Sequence, residues 1–83
     1  MSKVLIELFI PAIADHVDVL VPVDIPIRDL TKVIIDGIVE LTNGVYIPSH
    51  GENLCMKEPV GILNPMLSLF DYGVIDGAQL YLV

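Results

Sequence analysis

Positive charge is what this sequence has least of. Four basic residues (Lys3, Arg28, Lys32, Lys57) stand against eleven acidic ones, a net charge of −7 over 83 residues. They form no cluster, so the phosphate contacts that dominate nucleic-acid affinity have nothing to draw on. An anionic membrane surface repels such a chain for the same reason, whereas a basic protein surface complements it. Cysteine is nearly absent too. Cys55 stands alone, cannot close an intrachain disulfide and sits in no metal-ligand spacing, which suits a reducing compartment. No apolar stretch approaches the ~20 residues that cross a bilayer as a helix. The apolar run near Met1 is interrupted at Glu7, unlike the core of a signal peptide. Together these features predict a soluble, cytoplasmic chain with no nucleic-acid partner and no direct membrane insertion.

Catalytic signatures are missing as well. A phosphate-cradling loop would place glycines at the opening of a helix, but Gly73 and Gly77 follow a turn. Cys55 could be paired with His16 or His50 as nucleophile and base, but no local signature supports it. A small strand residue and two turn or surface histidines is the simpler reading. Asp15 and Asp18 flank His16, yet the spacing is not diagnostic of a metal site. The expectation is no enzymatic activity, no cofactor and no metal.

Apolar residues are what the chain has in plenty. They make up 54% of it, against roughly 45–50% in an average soluble domain. This length suits one domain, 1–83, which buries roughly 60–65% of the surface its unfolded chain exposes. The surplus implies either strands very rich in core residues or apolar surface kept for a partner.

Hydropathy patterning places the elements. Lys3–Ile10 alternates, with Val4, Ile6, Leu8 and Ile10 on one parity, as a half-buried strand does. Pro11 ends the run, 12–15 turn, and His16–Pro22 alternates again with Val17, Val19 and Val21 inward, completing a hairpin. Pro26 suits a helix start. From there Ile27, Leu30, Val33, Ile34, Ile38 and Leu41 recur at helical spacing, and Asn43-Gly44 supplies the C-terminal stop. Gly37 inside the helix costs up to ~1 kcal/mol against Ala, which suggests close packing on a sheet. Residues 45–53 read as a loop and Leu54–Lys57 as a short strand. Glu58–Gly61 reads as a turn and Ile62-Leu63 as a brief pairing. Asn64-Pro65 reads as the cap of a short helix reaching Leu69 or Phe70. Asp76-Gly77 turns into a last strand, Gln79–Val83. An amphipathic helix after a hairpin must cover one sheet face, with the first and last strands parallel at the centre. The fold class is α+β: a β-grasp, ubiquitin-like arrangement, a mixed sheet of 4–5 strands covered on one face by one main helix.

Two segments carry a resemblance. Leu69-Phe70-Asp71-Tyr72-Gly73-Val74 and Asp76-Gly77-Ala78-Gln79-Leu80-Tyr81-Leu82 resemble the closing turn and last strand of ubiquitin-like folds. Asp18-Val19-Leu20-Val21-Pro22-Val23-Asp24-Ile25-Pro26-Ile27-Arg28-Asp29-Leu30 is similar to the second strand and helix start of the YukD/EsaB family of bacterial ubiquitin-like proteins. That family usually has Asp where this chain has Ala78, which touches a turn hydrogen bond. The resemblance implies a small cytoplasmic accessory or regulatory component of the type VII (WXG100) secretion machinery of Gram-positive bacteria, with secretion-machinery proteins as partners. The alternatives are an effector subunit of a multicomponent oxygenase and a ubiquitin-like adaptor domain of another complex. A ubiquitin-like modifier needs a flexible diglycine tail, whereas Leu80-Tyr81-Leu82-Val83 reads as strand, so conjugation is not expected. Protein binding remains. The outward sheet face should carry Leu5, Phe9, Leu20, Tyr81 and Val83 beside Glu7, Asp18 and Gln79, with Leu5, Phe9 and Tyr81 as neighbours. An aromatic–aliphatic patch with a polar rim has the composition of a binding hot spot, for a partner protein or for a homodimer.

Overall fold

The computed structural model describes residues 2–57 and 60–83. The alternation of Lys3–Ile10 becomes strand β1, with Ile6, Leu8 and Ile10 fully buried and Lys3, Leu5, Glu7 and Phe9 on the open face. A 3₁₀ turn at Pro11–Ile13, followed by Ala14 in the left-handed conformation (φ 51°), reverses the chain. Strand β2, Asp15–Pro22, returns antiparallel to β1. Helix α1, Ile27–Leu41, then crosses one sheet face, burying Ile27, Leu30, Thr31, Ile34 and Ile38.

Both helix ends are closed by backbone. No side chain caps the start. Instead Ile27 and Arg28 donate to the carbonyls of Leu67 and Pro65 (2.7 and 3.0 Å), while Asp29 and Leu30 donate to that of Pro26. The Leu30 bond is the first of the helix ladder, Pro26 has no N–H to place, and the three remaining donors of the helix start, Ile27, Arg28 and Asp29, are thereby satisfied. At the other end Asn43 and Gly44 both have positive φ. Gly44 N–H reaches the Val39 carbonyl and Asn43 N–H that of Glu40, the double closure of a Schellman motif.

The same bonds explain why no helix follows Asn64-Pro65. Asn64 Oδ1 accepts from Met66 N–H (2.9 Å), as a cap would. However, the Pro65 and Leu67 carbonyls serve α1, and Ser68 forms a β-bridge with Pro26. The segment is a chain of turns: Leu67 N–H still reaches the Asn64 carbonyl, but the Pro65 and Leu67 carbonyls that would continue a helix are taken by α1.

Strands β3 (Leu54–Met56), β4 (Gly61–Ile62) and β5 (Ala78–Leu82) complete a sheet of order β2-β1-β5-β3-β4. Strands β1 and β5 run parallel at its centre and the other pairs are antiparallel. This is the ubiquitin-like β-grasp fold. Strand ends differ from the pattern by a residue, and the turn anticipated at Glu58–Gly61 lies partly outside the described residues. The Asp76-Gly77 turn hangs on β1: Leu5 N–H donates to Asp76 Oδ1 and the Leu5 carbonyl accepts from Gly77 N–H, both at 2.8 Å. Asp76 thus ties the turn to β1, and Ala78 lies half-buried opposite Ile6.

Two expectations about α1 are corrected. Val33 and Leu41, counted with its core face, are 59% and 63% exposed, because the apolar arc of the helix is wider than its seat on the sheet. Gly37 does not mark a close approach either, since a Cβ there would meet nothing within 4 Å.

Candidate protein-binding surface

With α1 on one face, the other sheet face stays open, and strand register decides which side chains meet there. Residues paired across adjacent strands lie side by side on one face, about 4.5–5.5 Å apart. His16 pairs with Phe9, Phe9 with Tyr81, Tyr81 with Cys55, and Cys55 with Ile62. One row therefore crosses all five strands. At its centre the Phe9 and Tyr81 rings meet edge to face, centroids 5.7 Å apart, a favoured aromatic geometry. Val83 adjoins the row two residues beyond Tyr81, and its end of the chain is tied to Asn53 by reciprocal backbone bonds.

A polar row runs parallel to it, Asp18–Glu7–Gln79, with Gln79 Nε2 donating to Glu7 Oε1 (3.4 Å) and Lys57 N–H donating to the Gln79 carbonyl. Beyond this lies the pair Leu5–Leu20. The five residues singled out from sequence are thus on the expected face but not in one patch. Phe9, Tyr81 and Val83 belong together, Leu5 and Leu20 form a separate pair, and the supposed polar rim is a stripe between them. A depression of about 220 Å³ at the junction is lined by Glu7, Phe9, Lys57, Gln79, Leu80 and Tyr81.

Sequence reasoning missed Cys55 and Ile62 as members of the row. Ile62 is 67% exposed. Its strand is only two residues long, too short for alternation to declare a face. Half-buried Cys55 has its thiol pushed above the ordinary value by burial, so near neutral pH it is a small apolar side chain rather than a thiolate. Among the described residues no three His, Cys, Asp or Glu side chains converge as metal ligands, and no helix is long and apolar enough to cross a membrane.

Elsewhere the loop at 45–53 is held by one polar cluster. Buried Tyr46 donates its hydroxyl to Glu52 Oε2 (2.7 Å), which also accepts from Ser49 N–H (2.8 Å). Burial, then the Glu52 hydrogen bond and charge, push the Tyr46 hydroxyl up to about 12. Burial by itself would raise the Glu52 carboxyl, but the bonds from Tyr46 and Ser49 outweigh it and hold it below the ordinary value.

The sheet order and the single covering helix define a ubiquitin-like β-grasp fold. No protein-family profile matches the sequence and no curated protein does. Solved structures do match. The ubiquitin-like domain of the type VII secretion protein EccD1 of Mycobacterium tuberculosis superposes with a TM-score of 0.76 at 19% identity, covering 100% of this chain and 99% of that one. The EccD5 ubiquitin-like domain from Mycobacterium xenopi gives 0.81 at 18%, covering 100% and 94%. The ubiquitin-like domain of Plasmodium falciparum Dsk2 gives 0.71 at 26%, covering 99% and 97%. Since a bacterial secretion domain and a protozoan one fit comparably, this likeness defines the fold and leaves the partner to other arguments.

Proposed function

We propose that this chain is a non-catalytic, cytoplasmic protein-binding component of a type VII secretion apparatus, of the YukD/EsaB kind, that docks a protein of the machine through the open sheet face. The observation that carries binding is the uncovered row Phe9–Tyr81–Cys55–Ile62 with its edge-to-face aromatic pair. Rigid aromatics beside aliphatic residues are the usual anchors of an interface. The secretion setting is supported by the YukD/EsaB-like residues 18–30, together with superposition of the whole chain on EccD domains. The net charge of −7 favours a basic docking surface.

The test uses the tagged full chain as bait in native cytosol, with retained proteins identified by mass spectrometry. The wild-type chain should retain cytosolic components of the secretion machine. A Tyr81→Ser, Ile62→Asp variant should lose about tenfold or more of that retention while Leu5→Asp, outside the row, loses much less. Undiminished retention by the folded double variant, or no secretion component at all, overturns the proposal.

A further inference from the structure

Strand β2 is an edge of the sheet, and its hydrogen-bond phase can be worked out. In an antiparallel ladder, successive residues turn their polar groups alternately toward and away from the neighbour. Val23 N–H donates to the Ser2 carbonyl, so Val21, Val19 and Val17 bond to β1. Leu5 confirms the phase, because both its polar groups face the Asp76-Gly77 turn and leave nothing for Leu20 opposite. His16, Asp18, Leu20 and Pro22 therefore point their backbone groups off the sheet. His16 N–H is taken by Asp15 Oδ1 (2.8 Å), and Pro22 has none. Asp18 and Leu20 remain, two outward donors at the spacing an added strand would use.

Beside this edge, on the α1 side of the sheet, lies an open groove of about 420 Å³, walled by Val19 and Val21 on β2 and by Val33, Gly37 and Leu41 on α1. Its walls are unfinished core. Val17 and Val19 point inward yet stay half-buried, and the missing Cβ of Gly37 faces open space. The charges around it are of one sign. Asp18 lines it, and Glu40 follows Gly37 by three positions, which puts it one helical turn away. The cations of the helix, Arg28 and Lys32, line a different cavity with Asp36, Pro48 and His50.

We propose that the β2 edge and this groove seat an extended segment of a partner protein, apolar at alternate residues and basic at its ends, which adds to β2 as a further strand. Its backbone would meet the Asp18 and Leu20 donors, and its apolar side chains would complete the wall between Val19 and Val33. Strand addition obtains affinity from main-chain bonds and selectivity from alternate side chains. A second copy is the poorer occupant, because pairing β2 with itself gathers Asp18 and Glu40 of both chains around one seam. The groove is independent of the open-face row, so either site can fail without the other.

The probe is a synthetic peptide of alternating valine and threonine with paired lysines at each end, titrated into the isotope-labelled full chain. The Asp18 and Leu20 amides should exchange quickly in the free protein and slow by about tenfold or more with peptide. Their signals should shift together with those of Val33 and Gly37. Glutamates in place of the lysines should weaken binding by about tenfold. Gly37→Leu fills the groove, and Leu20→Pro deletes an outward donor while keeping every ladder bond. Each should weaken binding by about tenfold or more, and the first stands alone if the second misfolds. Four results overturn the proposal: no saturable shift, shifts confined to Phe9 and Tyr81, protection of Asp18 and Leu20 by self-association without peptide, or undiminished binding by folded Gly37→Leu.

Discussion

Tyr46 and Thr31 are buried residues with hydroxyls to place, and each finds its acceptor nearby. Thr31 donates to the Ile27 carbonyl one turn earlier and Tyr46 to Glu52 across the loop. Tyr46→Phe keeps the ring and deletes one bond, so it should cost about 1 kcal/mol in urea denaturation. The difference between wild type and variant should also depend on pH. Because the folded Glu52 value is lowered, its contribution is full above the unfolded value of roughly 4.3 and is lost as pH falls through the folded one. Because the Tyr46 value is raised from 10.0 to about 12, its contribution is full below 10 and is lost as pH rises toward 12. A difference that stays constant across both windows would refute the coupling. Asp76 acts at the same scale. Asp76→Ala should cost about 1 kcal/mol by releasing Leu5 N–H, while Asp76→Asn, which keeps an acceptor, should cost much less. The Leu5–Asp76 pairing was not legible in the sequence, since the two residues are 71 apart and chain pattern carries no information about such partners.

At the scale of elements, α1 separates what periodicity can say from what it cannot. Its bounds follow from Pro26 and Asn43-Gly44, and its apolar face from 3.6-residue spacing. How much of that face is covered depends on the sheet beneath, and Val33 and Leu41 fall outside it. Gly37 is exposed, with space for a methyl group. Gly37→Ala should therefore stabilise the protein by about 0.5–1 kcal/mol, a rise of a few degrees in Tm. A fall would mean that the glycine is needed for packing after all. The turns at 64–69 are the converse case. Their sequence is locally suited to a helix, but the helix start at Ile27 and Arg28 takes their carbonyls.

For the whole molecule, charge is the dominant uncompensated term. Among the described residues there is one ion pair, Arg28–Asp29 at 3.8 Å, with both side chains about half exposed. Such a pair contributes little, so salt has little attraction to screen and much repulsion. Raising sodium chloride from about 10 to about 200 mM should raise Tm by a few degrees, measured by scanning calorimetry. A lowered Tm would show that attractive pairs outweigh the net charge of −7.

The sequence by itself determined the hairpin, the helix, the closing strand and the parity of every long strand, because periods of 2 and 3.6 are local properties of the chain. It also placed Leu5, Phe9, Leu20, Tyr81 and Val83 on the open face. Only the tertiary structure decided how that face divides. Which residues stand side by side is set by strand register, and the parallel β1–β5 pairing is made between opposite ends of the chain. That pairing put Glu7 beside Gln79 and split the apolar residues into a row and a pair, while the short pairing of β3 with β4 carried Cys55 and Ile62 into the row. Scarcity of positive charge, the feature most evident from composition, acquired a location in the same way. Its two helical cations line one cavity together, and among the described residues the groove beside the open edge of β2 has Asp18 as its only charged lining residue.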